Sequence, residues 1–307
     1  LRRYNMKIQI KADLMLVLVT LCWGVSYWLV DISLTEVGIF TLNTLRFLIA
    51  FFIAAGFAFP KLKTVNKITL KYSALLGCAL LFVYIGATFG VRYTTLSNAG
   101  FLCALSVVIT PILAFFFLKQ KPEKKLAAAV VMCLIGIALL TLKEDLKPAL
   151  GDIFSILCAF SYAIHLLITE SAVKKEEVNA FQLGVFQLGF TGLYNLIIAI
   201  LTENPAFPHS ANTWSAVLFL SVFCTGLAFI VQALAQQYTS ASHVGVIFSL
   251  EPVFAGAVAF FLAGEVLLGR AYFGAVLMIA GIFVMELDLK SLGEKLLKNI
   301  IPRKKSD

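Results

Sequence analysis

Charge is scarce in this chain. Asp, Glu, Lys and Arg make up 14% of the 307 residues against 60% hydrophobic, and mean hydropathy is +0.93. Soluble domains carry about 25% charged and 45–50% apolar residues. A water-soluble globule cannot hide this much apolar surface, so most side chains must face lipid or one another. Paired cysteines are lacking too. All six (Cys22, Cys78, Cys103, Cys133, Cys158, Cys224) fall inside apolar runs, with no C-x-x-C, which excludes a disulfide framework and a zinc site. Histidines occur only at 165, 209 and 243, too scattered for a metal cluster. No P-loop or long soluble segment exists to harness ATP, and no cofactor is expected. The net charge of +8 lies in short clusters between apolar runs, not in the single stripe that nucleic acid would require.

What is present is a succession of apolar runs. A hydrocarbon core about 30 Å thick needs roughly 20 helical residues at 1.5 Å each. Ten runs qualify, near residues 12–30, 38–59, 69–90, 96–118, 125–142, 150–169, 180–201, 213–235, 241–262 and 268–286. Breaks between them carry charge, proline or turn residues, as in Pro60-Lys61-Leu62-Lys63 and Thr202-Glu203-Asn204-Pro205. The first run is longer than a signal-peptide core and lacks a small-x-small cleavage site, so it reads as a span.

Ten spans with the N-terminus in the cytoplasm put about twenty of the 25 Lys and Arg on the cytoplasmic side. About four (Arg92, Lys143, Lys147, Arg270) fall outside, and Arg46 lies within a span. That bias places both termini inside. Residues 1–11 form a cytoplasmic segment, and 288–307, where leucines alternate with lysines, read as an amphipathic basic tail on the inner leaflet. The absence of a targeting extension points to a bacterial plasma membrane.

The chain also repeats itself. A shift of 145 residues lays Tyr93–Leu142 over Tyr238–Leu287 without a gap, matching Ser97, Gly100 and Leu105 to Ser242, Gly245 and Leu250. Ala114-Phe115-Phe116 meets Ala259-Phe260-Phe261, and Gly136-Ile137 meets Gly281-Ile282. Upstream, Asp13 and Trp23-Gly24 fall over Asp152 and Tyr162-Ala163 at a shift near 139. Each half, 12–142 and 150–287, then holds five spans, and an odd number makes the halves opposite in orientation. The sequence therefore predicts an all-α membrane protein of ten transmembrane helices, built as two inverted five-helix repeats around a central cavity. Secondary transporters use this architecture, with the binding site between the halves near the midplane.

Several motifs carry a resemblance to a known family. They are Cys22-Trp23-Gly24, Arg46-Phe47, Tyr93-Thr94-Thr95, Ser97-Asn98-Ala99-Gly100-Phe101-Leu102, Gly151-Asp152, Ser249-Leu250-Glu251-Pro252-Val253-Phe254, Gly264-Glu265 and Ala280-Gly281. With them the chain resembles the EamA type of the drug/metabolite transporter superfamily over residues 12–287. The resemblance implies a ten-helix basket, alternating access, and export or exchange of small metabolites, often amino acids. The first half departs from the second in ending its fourth span on Lys119-Gln120-Lys121-Pro122, without the Gly-Glu seen at 264–265.

Polar groups inside spans are costly enough to be informative: a charge at a helix centre costs about 2.5–3.5 kcal/mol on insertion scales. Glu251 lies mid-span, where it must be protonated, paired or facing a wet cavity. It either binds a proton or cation, or caps backbone freed by a kink at Pro252. Arg46 lies too deep to snorkel comfortably, with Asn43 one turn back; it either grips a substrate carboxylate or pairs with an acid such as Glu251. Trp23, with Ser26 and Tyr27 one turn on, is either an aromatic wall or packing. Tyr84, Thr88 and Gln187 either hydrogen-bond a substrate or stitch helices together. Gly86-x-x-x-Gly90 reads as a close helix contact. His165, His243 and its repeat partner Asn98 stand near span ends, where they either mark gates, a histidine there being able to shuttle protons, or are ordinary interfacial residues that do neither. Gln232 and Gln236 share a face near the inner vestibule, and Phe101 belongs to the family motif. The expected partners are a small molecule such as an amino acid, protons as coupling ion and the bilayer. The competing function is a membrane-embedded enzyme acting on lipid or prenyl substrates, for which no catalytic constellation is visible.

Overall fold

The computed structural model describes residues 6–94, 96–121, 123–141, 149–263 and 269–286. The basic tail at 288–307 and Gly264-Glu265 lie outside the described residues, as do the side chains of Asn98 and Phe101. Within them the structure is helical: α1 (Met6–Ser33), α2 (Ile39–Leu62), α3 (Lys67–Tyr93), α4 (Leu96–Ala104), α5 (Ser106–Leu118), α6 (Lys124–Thr141), α7 (Leu150–Val173), α8 (Ala180–Thr202), α9 (Ala211–Ser221), a π turn (Val222–Leu227), α10 (Ala228–Ala235), α11 (Ala241–Phe248), α12 (Glu251–Ala263) and α13 (Gly269–Glu286). Joined across their breaks, α4–α5, α9–α10 and α11–α12 each form one rod, giving ten rods among the described residues. Among the described residues seven stretches are long and apolar enough to cross a membrane, and Leu102–Leu118 and Gly269–Met285 are shorter apolar helices. The chain is a multi-pass membrane protein.

Polarity runs inside out, as lipid requires. On α8 a stripe at Gln182, Gln187, Thr191 and Asn195 is buried, while Leu193, Ile197, Ile200 and Leu201 are exposed. Phe57 is 90% exposed, a position tolerable only against hydrocarbon. Helix starts are fixed by side chains that satisfy otherwise orphaned N–H groups. Asn66 accepts from the Thr69 N–H at 2.7 Å, Asn179 from Gln182 at 3.0 Å, and Ser210 from Thr213 at 3.1 Å.

Packing joins the two halves of the sequence. The main partners are α3 with α7, α6 with α13 and α2 with α8, while α1 lies against α11–α12 as α7 lies against α4–α5. The α3–α7 approach needs glycine: a Cβ on Gly86 would stand 2.5 Å from the Cys158 backbone nitrogen. Side-chain bonds between helix ends sort those ends into two faces. On the face where α1 begins, Gln182 donates to the Lys61 carbonyl at 2.7 Å and Asn66 to the Glu177 carbonyl. On the opposite face Thr94 donates to Asp152 at 2.7 Å. There too Glu203 accepts from the N–H groups of Phe40 and Thr41, both at 2.9 Å, and Glu36 accepts from those of His209 at 2.7 Å and Ser210 at 3.1 Å.

Two breaks fall at related places. The fourth rod interrupts at Leu105 between α4 and α5, and the ninth at Ser249-Leu250 between α11 and α12. Leu105 and Leu250 are 145 residues apart, the register of the internal repeat. The kink expected from Pro252 falls in the turn just before it, where a proline's ring and missing N–H interrupt a helix. Pro252 itself sits in the first turn of α12, where a missing N–H removes no bond of that helix. Nothing in composition announced the break at Leu105.

Candidate functional site

The helix breaks meet at a cavity with about 100 Å³ of room for solvent. Its wall draws Trp23, Ser26, Tyr27 and Val30 from α1, Arg46 from α2, and Val83, Tyr84, Ala87, Thr88 and Val91 from α3. Cys103 and Ala104 close α4, Ser106 opens α5, and Phe248 and Glu251 flank the other break. Cys158, Tyr162 and Phe229 complete it. The cavity thus lies toward the face opposite the N-terminus, where α1 and α3 end.

Two of the deepest wall residues are held by one irregular turn. A π turn carries one residue more than an α-helix needs and disturbs the regular bonding ladder. Here the Trp23 indole donates to the Cys224 carbonyl at 2.8 Å, and Arg46 Nε donates to Thr225 Oγ1 at 2.9 Å. Both acceptors lie within the Val222–Leu227 turn. The Arg46 guanidinium is stacked over the Tyr84 ring, 4.6 Å to its centroid, a favourable cation–π placement. Arg46 is only 3% exposed and has no carboxylate within 4.0 Å among the described residues. The ion pair with Glu251 entertained from sequence is therefore not formed. Thr225 and Cys224 escape sequence reading because a π turn has no composition of its own.

Trp23 packs both as wall and as core. Its ring meets Phe248 at 4.7 Å and Tyr162 and Phe229 at 5.8 Å between centroids, while Phe47 meets Tyr84 at 4.7 Å. This aromatic layer floors the cavity on the side of the N-terminal face. Across the cavity Tyr27 and Glu251 meet through their side chains. Glu251 is the first residue of α12, so its backbone N–H and carboxylate both belong to a helix start rather than a kinked interior.

The other sequence candidates stand back from the wall. Asn43 is buried and donates to Thr88, which does line the cavity, at 3.5 Å. Below the floor, Tyr162 donates to Gln232 at 3.1 Å. Gln232 donates to His165 Nδ1 at 3.3 Å and to Gln236 at 3.1 Å, and His165 Nε2 donates to Gln187 at 2.9 Å. Gln236 in turn donates to the Leu166 carbonyl at 3.0 Å. Each member is buried and bonded, the condition under which a polar network is tolerated in an apolar interior. Nearer the N-terminal face His243 pairs with Asp13 at 3.2 Å. Glu170, fully buried, gathers the Gln120 amide at 2.8 Å, the Ala241 N–H at 2.7 Å and Lys174. These bonds fasten α5, α7 and α11 together beneath the cavity. Sequence reading missed Glu170 because it lies close enough to a span end to pass as a surface residue.

The chain has relatives among known proteins. The model of the EamA-like transporter family matches the chain twice, over residues 10–142 and 149–287. The chain belongs to the EamA-like transporter family. Among its relatives is an uncharacterised transporter of Archaeoglobus fulgidus, 30% identical over 276 residues, covering 90% of this chain and 86% of that protein. Another is the uncharacterised transporter YetK of Bacillus subtilis, 26% identical over 284 residues, covering 87% and 84%. A solved crystal structure matches with a TM-score of 0.75 at 17% identity, covering 94% of this chain and 99% of that one; at that identity the likeness shows the fold alone.

Proposed function

We propose that the protein is a secondary transporter that moves small amphipathic metabolites, amino acids foremost, by alternating access. One observation carries the reading: Arg46 and Glu251 line the same cavity without an ion pair between them. Two opposite charges left apart in a wet chamber suit a zwitterion, the guanidinium holding a carboxylate and Glu251 taking an ammonium or a proton. The aromatic wall receives an apolar side chain. Two further features support the scheme. The family match falls in two consecutive stretches, and the helix breaks at Leu105 and Leu250 obey the same 145-residue register. In this reading residues 12–142 and 150–287 are inverted five-helix units, and the bonds of Glu170 and His243 close one side of the path. The lysine-rich face, with both termini, lies in the cytoplasm of a bacterial cell.

The test combines a thermal-shift screen of purified protein against a metabolite panel with uptake into proteoliposomes, with and without a pH gradient. Specific binding must stabilise the folded protein. We expect amino acids among the stabilising compounds, and Arg46→Lys to raise the half-saturation concentration about tenfold or more with little change in protein level. No uptake of any panel compound, or turnover of a lipid by the purified protein, would overturn the reading in favour of an enzyme.

A further inference from the structure

A second concavity, of about 350 Å³, opens on the face opposite the N-terminus. It lies between the end of α3, the start of α2 and the end of α8, and its wall includes Arg92, Glu203, Phe40, Phe89 and Tyr93. Arg92 is exposed and makes no ion pair or hydrogen bond among the described residues. Glu203 does not neutralise it. A carboxylate offers about four lone-pair sites, and three here accept from Phe40 N–H, Thr41 N–H and the Thr41 hydroxyl. One site remains, on Oε1.

The crevice lies where the apolar helices α2, α3 and α8 start or end, which is where a membrane-spanning rod meets the headgroups. Tyr93, half-exposed and stacked on Phe89, is the kind of residue that collects at a membrane boundary. Below it, Phe89, Ile85, Phe82, Cys78 and Leu75 recur every three or four residues on α3, and the last three are exposed. That stripe is an apolar track leading from the crevice into the hydrocarbon layer. α2 leaves it uncovered because α2 packs on α8 and α9 and touches α3 only sparingly.

We propose that this crevice holds the headgroup of an ethanolamine phospholipid. Arg92 binds the phosphodiester, the free lone pair of Glu203 accepts from the primary ammonium, and an acyl chain lies along the α3 stripe. The aromatic rings of Phe40 and Phe89 cover the glycerol region. A headgroup carrying both charges matches the two side chains better than a purely anionic one, which would meet Glu203 with like charge. A trimethylated headgroup has no N–H to offer the carboxylate.

Native mass spectrometry of the detergent-purified full chain decides it, with phosphatidylethanolamine, phosphatidylcholine, phosphatidylglycerol and inorganic phosphate as separate titrants. We expect phosphatidylethanolamine adducts at about tenfold lower concentration than phosphatidylcholine adducts. Arg92→Gln should remove that preference while leaving the melting temperature in lipid-free detergent unchanged, since Arg92 bonds to nothing in the fold. Equal adducts for all three lipids, an unchanged preference in Arg92→Gln, or displacement of lipid by millimolar inorganic phosphate would each overturn the proposal. None of these outcomes depends on which solute the central cavity carries.

Discussion

Arg46 illustrates what a single residue reveals about itself and what it conceals. Its depth in an apolar run singled it out, as a substrate contact or as half of an ion pair, because a guanidinium in lipid without a partner is selected against by its insertion cost. Trp23, Tyr27, Tyr84 and Glu251 were legible on similar grounds, and the structure places all five on one wall. Their holders were not legible. Thr225 and Cys224 look like ordinary small residues of a span, and only the three-dimensional path of the π turn brings them to Arg46 and Trp23. The change in repeat register from 139 to 145 shows that residues were added within the second half, between Tyr162 and Tyr238, yet not that any sits inside a helix. The bond from Arg46 yields a prediction at this scale. Thr225→Val removes the acceptor of a buried N–H, and such a group left unsatisfied costs about 1–3 kcal/mol. Thr225→Ser keeps the oxygen. Melting temperature in detergent should therefore fall for valine and hold for serine; equal melting of the two variants would show that the hydroxyl does not hold Arg46.

Among elements, helix starts on the face opposite the N-terminus are tied in reciprocal fashion. The loop after α1 supplies Glu36 to the start of α9, and the loop after α8 supplies Glu203 to the start of α2. A carboxylate beside a helix N-terminus is stabilised by the free N–H groups and the dipole there. Hydrogen bonds from Ser210 above all, then from Thr213 and His209, hold Glu36 down to about 2 from an ordinary 4.5. A folded-state value below the unfolded one means the tie is fully present above pH 4.5. It weakens as pH falls from there through about 2. Amide exchange at His209 and Ser210, corrected for intrinsic rates, should thus be slow at pH 6 and faster near pH 2. Glu36→Gln should show the faster exchange already at pH 6, and protection independent of both changes would refute the tie. The close fit explains Gly38 as well, since a Cβ there would collide with the Glu203 carboxylate. Helix existence was legible from run length throughout. The interruptions were legible only in part: Pro252 pointed to the break just before it at Ser249-Leu250, whereas no residue type marks the one at Leu105.

At the scale of the whole molecule, composition alone sufficed for a multi-pass helical membrane protein, because a 60% hydrophobic chain with 14% charge has no aqueous alternative. Placement of the rods was harder to read. That α3 lies on α7, and α6 on α13, follows from glycine contacts and side-chain fit between distant segments. Orientation is testable directly. The excess of lysine and arginine on one face predicts that tags fused at both ends react with an impermeant reagent only from the cytoplasmic side of oriented vesicles. Labelling of the two tags from opposite sides would sink the ten-span arrangement.

The aromatic floor has an electrical consequence. The Trp23 ring stands 4.7–5.8 Å from those of Tyr162, Phe229 and Phe248, and Tyr162 lies 6.1 Å from Phe248, close enough for these pairs to pack in contact. In the proposed transport reading, a solute held above that layer faces one compartment only. Under that reading the layer would act as insulation, keeping the membrane's stored voltage from short-circuiting through the protein that crosses it.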